Sequence, residues 1–543
     1  MPQVTVLPVP PLAHETHYGR ETLVFSQRPA NFNEVVAQSV TRYPEKIALV
    51  FEGRRWTYRQ LMDEANAFAA TIHLDYGTGK GDRVAVLTGN MPEFAIAAIG
   101  ISLLGAILVP LNTRLTAQEL LFMLDNSGTS VLVATLDQWE KLSSVGVHVP
   151  GIQGVFIVEG EAPNGTRPWQ EVLRGGVPPA IAVHEDDALY LCYTSGTTGL
   201  PKGAICTHFN LMHTLINYEL VKALTADDVT LLGVPIFHIT GLAAQFAQFL
   251  YQGGTLVLQR MPFRAAPALE LIEQEHVTHF FGVPTMYIML MNHPDFDRRD
   301  ISTLRLAAAG GAPLPPDVVH AWTRKAAQVK FLNFYGLTET TSPATCLPDR
   351  YKLERPGAAG LPLPVTEVQV VDEDSHSLQA NAVGELAIRG SMVFKEYWQN
   401  KAATTKAFLA GGWFLTGDMA RIDADGFVHI VDRKKDMISR AGEKVYCAEV
   451  ENVLYSHPCV LEAAVVGQPD TFYGEIVKAI VVQRPGCTID PLALRAFVAE
   501  QLAAFKVPAI VEFRDALPRN PGGKVMKQLL RGSSGSVLPD GYT

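Results

Sequence analysis

Through the first two thirds of the chain one rhythm keeps returning. A short apolar run gives way to a longer stretch whose apolar residues recur at helical spacing, and then to another short run. RVAVLTGN is followed by PEFAIAAIGISLLG, then AILVPLN, then TAQELLFMLDNSG, then VLVA. Few folds accept that order. Continuous apolar runs are strands buried on both faces, and helical crossovers between them leave the strands parallel. The rhythm resumes at THFFGVPT and LRLAAAGG. The expected fold class is therefore α/β: a large N-terminal domain of mostly parallel sheets with flanking helices.

After Gly360 the texture changes. VTEVQVVDED, GELAIRG and GFVHIVDR read as shorter alternating strands, so a small β-rich unit is expected there. From Asp432–Asp436 onward, EVENVLYSHPCVLEAAVVG, EIVKAIVVQ and PLALRAFVAEQLAAF spell helix, strand, strand and helix, enough for a small α+β C-terminal domain. The expected boundaries are 1–434 and 435–543. No internal repeat or low-complexity tract interrupts them, and the closing GSSGSVLPDGYT reads as a loose end.

Composition narrows the partners. With 543 residues, 48% apolar and 18% charged, the chain can bury a large core. A net charge of −10 and the lack of any clustered Lys/Arg stretch argue against nucleic acid. The six cysteines are scattered without a CxxC pair, which suits a reducing cytoplasm and offers no metal site. MPQVTVLPVPPLAHETHYGR lacks the basic and apolar regions of a signal peptide. Phe94–Leu111 and Thr230–Gln259 carry no charge and are long enough for a membrane span, yet both hold glycine and proline, and the second holds His238 and four Gln. Buried core elements of a large α/β protein are the better reading.

The sharpest local signal is YLCYTSGTTGLPKGA, Tyr190–Ala204. An apolar strand runs into Thr194-Ser195-Gly196-Thr197-Thr198-Gly199, with Lys202 just beyond. Glycines let the backbone fold tightly and turn N–H groups toward an anion, while four hydroxyls and a lysine add donors suited to phosphate oxygens. It is not a Walker A loop, because Gly203 rather than Ser or Thr follows Lys202. Composition alone also fits a flexible Ser/Thr/Gly surface turn. The position directly after a buried strand favours phosphate.

This loop closely resembles the AMP-binding signature of the acyl-adenylating superfamily, which holds acyl-CoA synthetases, peptide-synthetase adenylation domains and firefly luciferases. Further segments match in order: VPIFHITG (Val234–Gly241), AGGAPL (Ala309–Leu314), NFYGLTETT (Asn333–Thr341), GWFLTGD (Gly412–Asp418), DRKKD (Asp432–Asp436), Arg440–Glu451 and PRNPGGK (Pro518–Lys524). The resemblance implies ATP, Mg²⁺ and a carboxylic acid as ligands, with acyl-AMP as the intermediate.

Residue by residue, it implies that Thr194, Ser195, Gly196, Thr197, Thr198 and Lys202 hold the β- and γ-phosphates. Glu339 ligates Mg²⁺, Thr338 touches the α-phosphate, and Tyr335 stacks on adenine beside Gly310 and Gly311. Asp418 takes the ribose hydroxyls, Arg433 reaches ribose or phosphate, and Lys524 bridges the acid and the α-phosphate. His238 lines the way between acyl pocket and thiol rather than serving as a base. Read without the resemblance, Asp418 could equally hold a turn, Lys524 could be a solvated lysine and His238 a packed core histidine.

The same resemblance implies that the C-terminal domain swings about Lys435 between the two half-reactions. The swing would bring up the face of Ser439–Glu443, where Gly442 leaves room for a pantetheine arm. Arg440 belongs to that face, and Tyr473 and Phe505 match positions that stack the adenine of coenzyme A. One departure stands out: after Phe505-Lys506 come Val507, Ala509 and Ile510, where relatives commonly carry charge for the coenzyme A phosphates, so only Lys506 remains for that role. An acid–CoA ligase is the leading reading, with an amide-forming ligase of the coronafacate type, using an amino-acid amine, as the alternative. A homodimer is compatible with either. The pocket segments Ile236–Gly241, Phe280–Thr285, Ala307–Gly311 and Phe334–Gly336 are nearly free of charge. They suggest a medium-chain, branched, cyclic or aromatic monocarboxylic acid, with no buried Arg for a dicarboxylate.

Overall fold

The structure is a computed structural model that describes residues 3–145, 151–173, 176–194, 201–312, 314–441, 443–519 and 525–531. The chain divides into two compact units, one of Met1–Val368 with Ile388–Phe414, the other of Gln369–Ala387 with Leu415–Thr543.

Two large sheets build the first unit. One has eight strands in the order Glu396–Tyr397, Lys202–Thr207, Ala188–Thr194, Ile107–Pro110, Arg83–Leu87, Val131–Thr135, Gly154–Val158, Arg167–Pro168. From Ala188–Thr194 onward its neighbours are parallel, and the first two pairings are antiparallel. The other has nine strands, with Lys330–Tyr335, Leu306–Ala309, His279–Gly282, Val229–Leu232, Thr255–Leu258 and Ile47–Phe51 parallel in that order and antiparallel strands at each edge. The rhythm read from the sequence is thus realised: RVAVL, ILVP and VLVAT are adjacent parallel strands, and Pro92–Leu103 between the first two is a helix buried on every side. TAQELLFMLDNS starts where its chemistry says it should, with a reciprocal Thr116–Glu119 capping box, and Gly128 ends it in the left-handed conformation.

The charge-free stretch Thr230–Gln259 is core. It holds the strands Val229–Leu232 and Thr255–Leu258, joined by a continuous helical segment that includes a π-helical turn, Leu242–Ala247. No described helix is long and apolar enough to cross a membrane. Three parallel strands of the nine-stranded sheet deliver their C-terminal ends to the candidate site. Val229–Leu232 leads to His238, Leu306–Ala309 to Gly310–Gly311, and Lys330–Tyr335 to Thr338–Glu339. In open α/β sheets, ligands bind at that edge because helix N-termini and short loops converge there.

The second unit has two sheets. Four strands run in the order Thr366–Val371, Gly384–Gly390, Phe414–Ile422, Val428–Arg433, which is the β-rich texture expected after Gly360. The tail forms a five-stranded sheet around a long hairpin, Val460–Asp470 with Gly474–Gln483, flanked by the helices Cys447–Ser456 and Pro491–Ala499. Its apolar face closes over Val450, Leu454, Val465, Ala479, Leu494 and Val498. The helix–strand–strand–helix reading holds, but the sheet gains Ile510–Phe513, parallel to the hairpin, and the pair Ile438–Arg440 and Glu443–Val445. Those strands are too short to show alternation in sequence.

Candidate active site

The phosphate loop turns out to connect a hairpin. Ala188–Thr194 and Lys202–Thr207 pair antiparallel, with Thr194 facing Lys202 and the Thr194 hydroxyl donating to the Lys202 carbonyl at 3.4 Å. Ser195, Gly196, Thr197 and Thr198 lie outside the described residues, but both strands that present them are rigidly seated. A Cβ at Gly203 would stand 2.5 Å from a Leu191 methyl, and the Gly203 carbonyl accepts the Trp398 N–H at 2.7 Å. The helix His208–Lys222 begins only after the second strand, behind a Thr207–Asn210 capping box. The segment is therefore flanked by two antiparallel strands, unlike the strand-to-helix geometry of a Walker loop.

Glu339 sits beside that hairpin in the short turn Thr338–Thr340 that follows the strand Lys330–Tyr335. Its carboxylate is buried, and the Tyr397 hydroxyl donates to Oε1 at 2.8 Å. Tyr397 is held there by strand pairing to Ala204. Burial, and then the Glu339 carboxylate, push the Tyr397 phenol well above its ordinary pKa, so it stays a proton donor. The Lys202 ammonium lies 5.3 Å from the centroid of the same ring. Cys206, two residues up its strand on the same face as Ala204, donates its thiol to the Thr338 carbonyl at 3.5 Å. One carboxylate and one ammonium thus flank a single phenol ring at the hairpin. That donor set fits Mg²⁺ with phosphate, since Mg²⁺ takes one or two carboxylates and completes its shell with phosphate oxygens and water. Tyr397 was invisible to sequence reasoning, because nothing in KEYWQN marks it.

Gly310 and Gly311 leave the strand Leu306–Ala309, and Ala309 pairs with Asn333 two residues before Tyr335. A Cβ at Gly310 would meet the Phe334 carbonyl at 3.0 Å and the Phe281 ring at 3.2 Å, so glycine is what lets these backbones approach. Tyr335 is half-buried at the end of its strand. His238 is exposed at the head of a helix, while its neighbours Phe237 and Ile239 are buried. That is not the packed core histidine one would default to.

The second unit brings together the remaining predicted residues in two groups. Asp418 and Arg433 face each other across antiparallel strands, with Arg433 Nε 3.5 Å from Asp418 Oδ1. Asp418 is buried and lies in the strand itself; the turn before it is held by Thr416, whose hydroxyl accepts the Asp418 N–H at 3.1 Å. Lys435 is exposed just past Arg433. In the other group the Arg440 guanidinium lies 4.6 Å over the Tyr473 ring and donates to the Phe505 carbonyl at 3.1 Å. Lys506, the one charge left for coenzyme A phosphates in its segment, is bound by both oxygens of Glu449 at 2.7 Å. Gly442 and Lys524 lie outside the described residues.

The description "AMP-binding enzyme" fits residues 36–398 and "AMP-binding enzyme C-terminal domain" fits residues 449–524. Among curated relatives, a feruloyl-CoA synthase of an Amycolatopsis species is 36% identical over 488 residues, covering 90% of this chain and 96% of its own. Among solved structures, the anthranilate CoA ligase AuaEII in complex with anthranoyl-AMP superposes with a TM-score of 0.85 at 27% identity, covering 92% and 96% of the two chains. The amide bond synthetase McbA from Marinactinospora thermotolerans does so with a TM-score of 0.82 at 30% identity, covering 92% and 98%. With the hairpin loop, the Glu339 turn and the Asp418–Arg433 pair standing in the matched order, this chain belongs to the AMP-binding enzyme family of acyl-adenylate-forming ligases.

Proposed function

We propose that the protein is an ATP-dependent carboxylic acid–CoA ligase. The observation that carries the first half-reaction is the Lys202–Tyr397–Glu339 arrangement at the base of the phosphate hairpin. A carboxylate oxygen of the acid attacks the α-phosphorus of ATP, the bond to the bridging oxygen breaks, and pyrophosphate leaves. Loop residues Thr194–Thr198 and Lys202 hold the β- and γ-phosphates, and Thr338 reaches the α-phosphate. Tyr335 with Gly310–Gly311 takes the adenine, and Asp418 and Arg433 take the ribose. Mg²⁺ held by Glu339 would supply charge neutralisation between the phosphates. Lys524 places a positive charge where negative charge accumulates in the transition state.

In the second half-reaction the thiol sulfur of coenzyme A attacks the acyl carbon and AMP departs. Arg440, Tyr473 and Phe505 form a joined platform for it, since one guanidinium both covers the Tyr473 ring and ties down the Phe505 backbone. With Lys506 committed to Glu449, coenzyme A binding rests on stacking more than on phosphate clamps, and its salt dependence should be small. The structural likeness to an amide bond synthetase keeps an amine acceptor as the second reading.

The deciding experiment incubates enzyme, ATP, Mg²⁺ and an accepted acid with coenzyme A alone, or with a pool of amino acids alone, and weighs the products. Thioester at micromolar coenzyme A and no amide supports the ligase. Efficient N-acyl amino acid with little thioester transfers the function to the second reading and leaves the adenylation chemistry intact.

A further inference from the structure

Lys222 is the last residue of the helix His208–Lys222 and is almost wholly buried. Among the described residues its ammonium has one hydrogen-bond acceptor, the Ala244 carbonyl at 2.9 Å in the π-helical turn. Aromatic rings supply the rest of its surroundings: Tyr218 at 4.1 Å, Phe281 at 5.1 Å and Phe334 at 5.7 Å from their centroids. Among the described residues no carboxylate pairs with it. A buried ammonium with three donors and one acceptor is costly unless something else satisfies it.

Its position says what that something is. Phe281 and Phe334 stack on each other with centroids 5.8 Å apart, and both abut Gly310. Phe334 immediately precedes Tyr335. The ring box around Lys222 therefore adjoins the Gly310–Tyr335 segment assigned above to the adenine. Thr214, Tyr218 and Lys222 fall on one face of the helix at i, i+4 and i+8. The first two are fixed to the segment after Glu339: Thr214 donates to the Thr341 carbonyl at 3.1 Å, and the Tyr218 and Ser342 hydroxyls bond at 2.7 Å. Eight residues of helix carry that face about 12 Å, from the Glu339 segment to the ammonium.

Other polar groups on the facing elements also want partners. Both amide atoms of Asn217 and of Gln248, the Gln245 oxygen and His279 Nε2 are buried without a hydrogen bond. Asn217 belongs to the Lys222 helix, Gln245 and Gln248 to the helical segment packed against it, and His279 to the strand that carries Phe281. Buried polar groups in native proteins are satisfied by protein, water or ligand.

We propose that Lys222 reads the far end of the substrate: the acid carries an oxygen acceptor, a hydroxyl, oxo or second carboxylate group, remote from the carboxyl that is adenylated. This rests on the adenylating function above and revises the expectation of a charge-free pocket. Burial holds the Lys222 pKa well below its ordinary value, and an acceptor beside the nitrogen would favour its charged form.

The test uses the full chain and pyrophosphate release with matched acids: cinnamic against 4-hydroxycinnamic acid, and octanoic against 8-hydroxyoctanoic and octanedioic acid. At least one oxygenated acid should be favoured over its plain partner by about tenfold or more in kcat/KM, because a site built to bond a polar group rejects the analogue lacking it. Lys222→Met should erase that preference by raising KM for the oxygenated acid, with turnover of the plain acid retained, and Lys222→Arg should restore part of it. Wild-type enzyme that releases pyrophosphate equally well or better with the plain member of every pair overturns the inference and leaves the function standing. A preference that survives in Lys222→Met overturns the assignment to Lys222. Since the wild-type comparison is decisive by itself, a variant that fails to fold leaves the inference open to refutation. No pyrophosphate with any acid sinks the adenylating function itself.

Discussion

Tyr397 illustrates how a side chain outside every motif controls one inside. Its hydroxyl donates to a buried carboxylate expected to hold a metal, and its own raised pKa keeps the proton in place. Tyr397→Phe removes one hydrogen bond to a charged group, worth about 1.5–3 kcal/mol. The expected outcome is a loss of about tenfold or more in adenylation rate, together with a rightward shift of the Mg²⁺ titration and a small drop in melting temperature. An unshifted Mg²⁺ titration would mean that the phenol only packs. At the same scale, burial holds the pKa of His208 and of His213 down at about 3. Both stay neutral in the folded chain while the unfolded chain takes up protons below about 6.5, so folded stability is lost as pH falls through that value. The urea midpoint should drop between pH 7.5 and 5.5, and His213→Gln should flatten the drop while lowering the midpoint at pH 7.5.

At the scale of elements, the loops after the parallel strands do the positioning, and their glycines are steric requirements. Gly336 is the extreme case: a Cβ there would stand 1.5 Å from the Ser342 carbonyl. Gly336→Ala must displace the turn that carries Thr338 and Glu339, and should abolish pyrophosphate release even where the protein still folds by circular dichroism. Full activity in that variant would show the turn to be free to move. The motif itself could be read from NFYGLTETT, but not the reason for its glycine, which lies in a backbone returning at residues 342–343. The hairpin behind the phosphate loop was half legible. YLCYT reads as a strand, whereas KGAICT reads as one only once its partner and the Tyr397 strand are known. The π-helical turn that offers the Ala244 carbonyl to Lys222 leaves no mark in LAAQFA at all.

For the whole molecule, two units share the predicted residues. Glu339, Lys202, Tyr335 and His238 belong to the first, and Asp418, Arg433, Lys435, Arg440, Tyr473 and Phe505 to the second. A chain that must adenylate and then transfer has reason to keep a movable part, and the proposed hinge is Lys435. Lys435→Pro fixes φ and removes a backbone donor. In a single turnover, pyrophosphate release should survive while thioester production collapses. Equal loss of both would place the defect in folding, and an intact second step would place the hinge elsewhere.

What the sequence determined alone is the set of features that need only local backbone: the alternation of strand and helix, the glycine-rich loop, and the order of the nucleotide motifs. Each is a pattern within a dozen or so residues, so its physical requirement is written in adjacent letters. Tertiary structure decided what depends on residues meeting from afar. Tyr397 reaches Glu339 across 58 positions. Lys222, an unremarkable helical lysine in sequence, is enclosed by rings from its own helix and two different strands. Nothing in HFNLMHTLINYELVK says which neighbours will surround its last residue. Burial by those neighbours, not residue type, is what sets this lysine apart from an ordinary solvated cation.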